Sequence, residues 1–417
     1  MKKIKAILVD VVPPELPDEE EAKRLNELES LVKTFGGISV VKIIQKRSQP
    51  DYRTYIGKGK VNQIHSMALE NEAKLVVVNN IMKPGQIYNI NEIFEKDKIE
   101  VWDRVDLILK IFEKHAKSSE AKLQVELAGI KHFGPRIYGM GKELARQEGA
   151  VGVRAGSGEA NIEMMKRHLR RQELKIKKKL EHYSLIKKGH RKRRKRLNFK
   201  TVALVGYTNS GKSTLLNALT GKDVYIADEL FATLDTRVGK IYIQPDKPLK
   251  DGKYNPGTEI LISDTIGFIR DLPPELIEAF KSTLAETVES DLILHVIDVS
   301  DKDLHKKIQV VEEILNSMGL KDKPRIYVFN KMDLIKRKHL KRVLPQKKKK
   351  IEEHGILKAG AETMEILGWG ENDKIDIPND PAELKQKYQQ FNPIFISAHK
   401  KDNLEELIDL IAEKVKN

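Results

Sequence analysis

The chain runs to 417 residues with 40% hydrophobic and 33% charged content, a soluble globular composition too long for one ordinary core, so two or three domains are expected. Its formal charge of +15 favours a polyanionic partner, nucleic acid before an anionic membrane, over the plainer reading of a solvated basic surface. It has no cysteine, which excludes disulfides, thiolate metal sites and cysteine nucleophiles, and no apolar run approaches the roughly 18 residues of a membrane span.

Residues 1–116 read as an α/β subdomain. KIKAILVDVV is strand-like; Asp10 interrupts its apolar run and an acidic helix follows, so this is a first strand rather than a signal peptide, and a cytoplasmic protein is expected. DEEEAKRLNELESLVKTFGG is an amphipathic helix closed by glycine. ISVVKIIQK, AKLVVVNN and IEVWD are further strands, separated by helices at KVNQIHSMALE and QIYNINEIFEK. Such alternation implies a mostly parallel open sheet.

Residues 117–197 change character. SSEAKLQVELAGIKHF puts Leu123, Leu127 and Ile130 on one helical face. A second long helix starts at NIEMMKRH, and RKRRKR (Arg191 to Arg196) forms a basic linker or a helix end facing polyanion. Between the helices lies GAVGVRAGSGEAN, read as the glycine-rich tip of a helical hairpin. It is not a dinucleotide loop, because a helix rather than a strand precedes it and the last glycine of G-x-G-x-x-G is missing. Gly156 and Gly158 would allow close approach to another surface, and Arg154 would meet phosphate or stack on a base, against the bland reading of a flexible connection.

Residues 198–417 read as a doubly wound phosphate-loop domain with strands TVALVG, EILISD, LILHVID, RIYVFN and PIFISA, an insertion at about 336–390 and a C-terminal helix. Gly206-Tyr207-Thr208-Asn209-Ser210-Gly211-Lys212-Ser213, followed by Thr214, fits G-x-x-x-x-G-K-[ST] between a strand and a helix. Its backbone N–H groups would surround phosphates, Lys212 would reach the β/γ-phosphates, and Ser213 would bind Mg²⁺. Asp264-Thr265-Ile266-Gly267 follows the next apolar strand; Asp264 would hold the metal through water and the Gly267 N–H would approach a γ-phosphate. Asn330-Lys331-Met332-Asp333 supplies a carboxylate for the paired donors of guanine, which adenine lacks. Ser397-Ala398-His399 would offer the Ala398 N–H to the guanine carbonyl. Phe231-Ala232-Thr233-Leu234-Asp235 is the switch segment, with Thr233 preferred over Thr236 as the second metal ligand. Phe268 stands where many GTPases carry a water-orienting glutamine, so slow intrinsic hydrolysis is expected. Asn209 is a candidate for holding K⁺ near the phosphates.

The sequence resembles the HflX family of translation-associated GTPases. The resemblance rests on DTIGFIRDLPPELIEAFKSTLAE, LFATLDT, YIGKGKV, KLQVELA and RQEGAVGVRAGSGEA, in the family's order. It implies an N-terminal α/β subdomain, a helical hairpin and a G domain acting on the large ribosomal subunit and its rRNA; GTP and GDP with Mg²⁺ are the expected ligands, and a monomer is expected. GTP-dependent splitting or rescue of ribosomes, often under stress, is the activity it implies. Alternatives are a GTPase that assembles large-subunit precursors, and an RNA-binding protein in which nucleotide is structural. Three departures stand out: Gly156-Ser157-Gly158-Glu159-Ala160 lacks the family's loop proline, the switch segment is short, and the stretch between NKMD and SAH is long.

Overall fold

The computed structural model describes residues 3–148, 155–197, 199–221, 231, 237–243, 258–265, 267–270, 276, 281–335 and 380–416. The chain divides into two compact units, one founded on Met1–Arg196 and the other on Leu197–Ile226, Thr236–Arg270 and Ala285–Asn417.

The first unit opens with strand β1 (Ile4–Val12), helix α1 (Asp18–Phe35), β2 (Gly37–Lys46), α2 (Lys58–Glu70), β3 (Leu75–Val78), α3 (Pro84–Phe94), β4 (Glu100–Asp103) and α4 (Arg104–His115). The four strands form one parallel sheet in the order β2-β1-β3-β4. Ile7, Val9, Val11, Val76, Val78 and Val101 meet Val61 and Ile64 of α2 and Ile87, Ile90 and Phe94 of α3. Ala6 and Leu8, pointing the other way, are equally buried. Burial on both faces is why these strands read as continuous apolar runs. Helix α1 ends where Gly36 takes φ 105°, a left-handed turn suited to glycine.

Two long helices follow, α5 (Ser119–Glu148) and α6 (Ala155–Arg196). Lys187 of α6 bonds Glu120 of α5 at 2.8–2.9 Å, pairing the end of one helix with the start of the other as an antiparallel hairpin. Gly156 and Gly158 lie in the first turns of α6, not in the expected loop; the helix begins six residues before the NIEMM run. Glycine weakens a helix interior by about 1 kcal/mol without forbidding it, and propagation from a 42-residue helix overrides that preference. Arg154 lies outside the described residues. The RKRRKR run is the last part of α6, with Arg191 buried and Lys192 and Arg193 exposed.

The hairpin is tied to the sheet at the start of α4. Asp103 and Asp106 exchange backbone bonds in a capping box, Asp103 Oδ1 accepting from the Asp106 N–H and Asp106 Oδ2 from the Asp103 N–H, both at 2.9 Å. Arg136 of α5 donates to Asp106 at 2.7 and 2.8 Å and to Asp103 at 2.6 Å, and His132 lies 3.0 Å from Asp106. Asp103, Asp106 and His132 have the spacing of a metal site, but the Arg136 guanidinium already fills the cationic position. Burial alone would raise the Asp106 pKa; the bonds from His132 and Arg136 overcome it and hold the carboxyl below its ordinary range. Burial opposes the His132 charge too, yet its bonds to Asp103 and Asp106 raise its pKa against the nearby Arg136 charge.

The second unit contains β5 (Lys200–Val205), α7 (Lys212–Thr220), β6 (Arg237–Ile243), β7 (Thr258–Asp264), β8 (Leu292–Asp298), α9 (Leu304–Ser317), β9 (Arg325–Asn330), α10 (Pro381–Lys387), β10 (Ile394–Phe395) and α11 (Leu404–Lys416), with α8 (Lys281–Glu289) at its margin. The sheet order is β10-β9-β8-β5-β7-β6, parallel except for β6, which runs antiparallel to β7. Sequence reading missed β6. Gly239, Ile241 and Ile243 alternate as its buried positions, but glycine at the first of them gives no apolar signal, and a Cβ there would come 2.4 Å from Thr220 Cγ2. Residues 336–379 of the insertion lie outside the described residues, and its last part carries α10, with Leu384 buried.

Asp106→Ala removes the N3 half of the capping box and leaves the Arg136–His132 pair with one carboxylate. The expected loss is about 3 kcal/mol, read by urea unfolding through Trp102 fluorescence in a Trp369→Phe background. Asp106, with its lowered pKa, contributes above the ordinary carboxylate range and loses that contribution as pH falls through the folded value. His132, with its raised pKa, contributes below about pH 6.5 and loses its contribution as pH rises through the folded value. The gap between wild type and variant should therefore be widest between about pH 4 and 6.5. An equal gap at pH 5 and 8 would remove His132 from the account.

Candidate functional site

In an open parallel sheet, ligands bind at the carboxyl ends of the strands where the strand order reverses. In the second unit that place is β5, flanked by β7 and β8. The loop Gly206 to Gly211 leaves β5 there and delivers Lys212 into the first turn of α7. Two glycines permit its path. A Cβ at Gly206, φ 156°, would stand 2.2 Å from the Val296 carbonyl oxygen, and one at Gly211, φ 93°, would stand 2.3 Å from Asn330 Nδ2. Asn209 also takes a left-handed conformation, φ 60°, which asparagine tolerates better than most side chains.

Lys212 is buried and its ammonium donates to the carbonyls of Gly206 and Tyr207 at 3.1 and 2.9 Å. Burial lowers its pKa to about 8, with Asp264 opposing the shift and Lys331 adding to it. Ser213 Oγ donates to Asp264 Oδ2 at 2.6 Å, so the hydroxyl that opens α7 and the carboxylate that ends β7 converge. Both are hard oxygen donors of the kind Mg²⁺ takes. Thr265 is buried and donates to the Leu204 carbonyl at 2.7 Å, fastening the segment after β7 to β5. Thr208 and Ser210 are buried, while Thr214 is half-buried.

The third and fourth motifs arrive on β9 and just after β10. Asn330 Nδ2 donates to the Ser210 carbonyl at 3.0 Å, and Asn330 Oδ1 accepts from the Ala398 N–H at 2.9 Å. The Ala398 amide, expected to face a guanine carbonyl, is thus engaged by Asn330 in this structure, because the asparagine side chain fills the gap between the loops. Lys331 donates to the Asn209 carbonyl at 2.7 Å and pairs with Asp298 at 2.8 Å, a partner that sequence reading did not single out although it ends the strand LILHVID. The Met332 N–H donates to the Ile396 carbonyl at 3.2 Å. Ser397 Oγ donates to Asp333 Oδ1 at 2.7 Å and so orients the carboxylate. His399 is exposed.

The fold therefore brings together Gly206 to Thr214, Asp264, Thr265, Gly267, Asn330 to Asp333 and Ser397 to Ala398. Phe231 is not among them: it is 3% exposed within the first unit, its ring edge-on to Phe112 at 4.6 Å. Ala232, Thr233, Leu234, Asp235 and Ile266 lie outside the described residues. The carboxyl ends of the first unit's strands are arranged differently. Arg24 grips Asp10 at 2.8 and 3.1 Å, Asn79 donates to Asp10 at 2.8 Å, and Arg104 donates to Asn79 at 2.7 Å and pairs with Glu27. Side chains of the protein itself fill that crevice.

An anion at this loop needs Lys212 protonated. Below a pKa of about 8 the lysine already carries its charge; above it, binding must bring a proton. GDP affinity should be flat near pH 7 and fall as pH rises past about 8, towards tenfold per unit, when titrated between about pH 7 and 9. Folding stability should move oppositely, rising with pH from about 8 as the buried ammonium neutralises. A GDP affinity independent of pH would show that Lys212 does not hold the phosphates.

Comparison with known proteins gives these motifs a family. Residues 22–113 match the family model described as GTP-binding GTPase N-terminal, residues 115–194 the GTP-binding GTPase middle region, and residues 201–331 the 50S ribosome-binding GTPase. The GTPase HflX of Caldanaerobacter subterraneus subsp. tengcongensis is 43% identical over 333 residues, 80% of this chain and 73% of its own. Those of Methanocaldococcus jannaschii and Escherichia coli are 38% and 36% identical, over 78% and 79% of this chain and 76% and 73% of theirs. A GTP-binding protein from Sulfolobus solfataricus, crystallised with GDP, aligns over 99% of both chains at 25% identity with a TM-score of 0.46. The chain belongs to the HflX family of GTPases and is a GTP phosphohydrolase.

Proposed function

We propose that this GTPase binds the large ribosomal subunit through its rRNA and uses GTP binding and hydrolysis to split or rescue ribosomes under stress. The observation that carries the reading is one chain joining two parts: a phosphate-loop domain matching 50S ribosome-binding GTPases, and a 42-residue helix with sixteen Lys and Arg against four Glu. Arg167, Arg170, Arg171, Lys175, Lys177, Lys178 and Lys179 are exposed along it, as are the apolar Met164, Leu174 and Leu185. Cations for phosphate contacts interleaved with apolar groups suit a structured RNA surface.

In this reading residues 1–116, 117–197 and 198–417 work as an α/β subdomain, an RNA-facing hairpin and a G domain, in a monomer. Arg154, between the two hairpin helices, probes the rRNA. In the G domain, Lys212 and the loop amides hold the phosphates, and Asp333, oriented by Ser397, reads guanine. Ser213 and Asp264 would hold Mg²⁺, with Thr233 completing its shell, and the ion would supply positive charge beside the transferred phosphoryl group. The Phe268 side chain has no polar atom with which to orient water, so another group or a partner orients it. K⁺ beside Asn209 is part of the same proposal, and turnover faster in K⁺ than in Na⁺, lost in Asn209→Ala, checks it.

Mature ribosomes incubated with the protein and run on a sedimentation gradient test the main reading. Separation into subunits is expected with GTP or a non-hydrolysable analogue and not without nucleotide. Arg154→Ala should weaken large-subunit binding or splitting while nucleotide binding persists. Subunit separation indifferent to nucleotide, or no binding to the large subunit, would overturn it.

A further inference from the structure

The stretch after Asp264 does more than pass the phosphate loop. Tyr207 and Phe268 form a parallel β-bridge. The Phe268 N–H donates to the Gly206 carbonyl at 3.1 Å, and the Thr208 N–H donates to the Phe268 carbonyl at 2.7 Å. A side-chain tether reinforces this short ladder: Tyr207 Oη accepts from the Arg270 N–H at 2.8 Å. The tyrosine is held from behind, with 7% of its surface exposed and Lys307 Nζ 4.7 Å from its ring centre. Phe268 and Ile269 are fully buried.

The ladder draws Gly267 against the loop. A Cβ at Gly267 would stand 2.9 Å from Thr208 Cγ2, 3.0 Å from Thr208 Cα and 3.0 Å from Lys212 Nζ. Gly267 Cα is thus within about 4.5 Å of the ammonium, one carbon–carbon bond further. A third phosphate gripped between Gly267 and Lys212 needs a hydrogen bond of about 2.9 Å on each side, so about 6 Å before its own width is added. Part of that room can come from the flexible lysine, but Gly267 also lies against the Thr208 backbone, and withdrawing the segment from it breaks the bonds of Phe268 and Arg270 to the loop. A diphosphate, which stops short of Gly267, asks for none of this.

We propose that Tyr207 is a specificity-determining residue. Its hydroxyl and the Gly206 and Thr208 backbone latch residues 268–270 onto the phosphate loop, closing the γ-phosphate position and biasing the site towards nucleoside diphosphate until the latch opens. The phenol acts through the backbone it holds, so it is a positioning group and not a catalytic one. Phe268 gains a role that its side chain cannot give: its main chain, not its ring, meets the nucleotide loop, and burial of the ring keeps that main chain in place.

The inference rests on guanine nucleotide occupying this loop, and the test separates the two. Affinities for GDP and for the non-hydrolysable analogue GMPPNP are measured on the full chain and on Tyr207→Phe, which removes one oxygen. The preference for GDP over GMPPNP should fall about three- to tenfold, the worth of one hydrogen bond. Hydrogen exchange of the Thr208, Phe268 and Arg270 amides in the unaltered chain should be slow with GDP and faster with GMPPNP. Both affinities weakening in parallel would mark Tyr207 as merely structural, and exchange equal in the two complexes would overturn the latch. Failure of either nucleotide to bind would instead remove the reading of the loop itself, and the inference with it.

Discussion

The second unit depends on the carboxamide of Asn330. Its nitrogen holds the Ser210 carbonyl, 120 residues earlier, and its oxygen holds the Ala398 amide, 68 residues later. One planar group thereby sets the separation of the phosphate loop from the loops after β9 and β10. It reaches Ser210 only because Gly211 has no side chain: a Cβ there would stand 2.3 Å from the nitrogen. Buried polar groups must be paired, so the three loops are fixed together or not at all. Lys331 repeats the arrangement one residue on, with Asn209 and Asp298.

The two open sheets show how similar topology leads to different use. Both are crossed by helices, and both place loops at the carboxyl ends of parallel strands. In the second unit the loop after β5 keeps backbone groups turned inward around a buried lysine. In the first, Asp10, Arg24, Asn79, Arg104 and Glu27 bond one another across the same place. A buried network that pairs its own charges leaves a ligand less to bind. The sheet there is a platform, and its exposed product is the hairpin anchored at Asp103 and Asp106.

That anchor ties α5 to the sheet. His132 and Arg136 sit one helical turn apart on α5, so both face the capping box that starts α4. Helix initiation and hairpin attachment use the same two carboxylates. Loss of either carboxylate therefore acts on both, which is why the effect is expected to exceed that of an ordinary cap.

The sequence by itself determined the elements whose signal is local. Apolar runs marked the buried parallel strands, a glycine closed α1, and the spacing of G-x-x-x-x-G-K-S within strand, loop and helix marked the phosphate loop. Signals fail where partners are remote. The strand β6 needed β7 beside it and the absence of a side chain at Gly239. The GSGEAN glycines read as a loop because propensity is local, while helix propagation is not. Nothing in NKMD or SAH says that the Ala398 amide goes to Asn330, or that Ser397 aims Asp333. Nor does DTIGF say that Phe268 pairs with Tyr207 through its main chain. Composition and spacing state which groups are available; tertiary structure decides which of them are already bonded to one another, because that depends on distances between residues far apart in the chain.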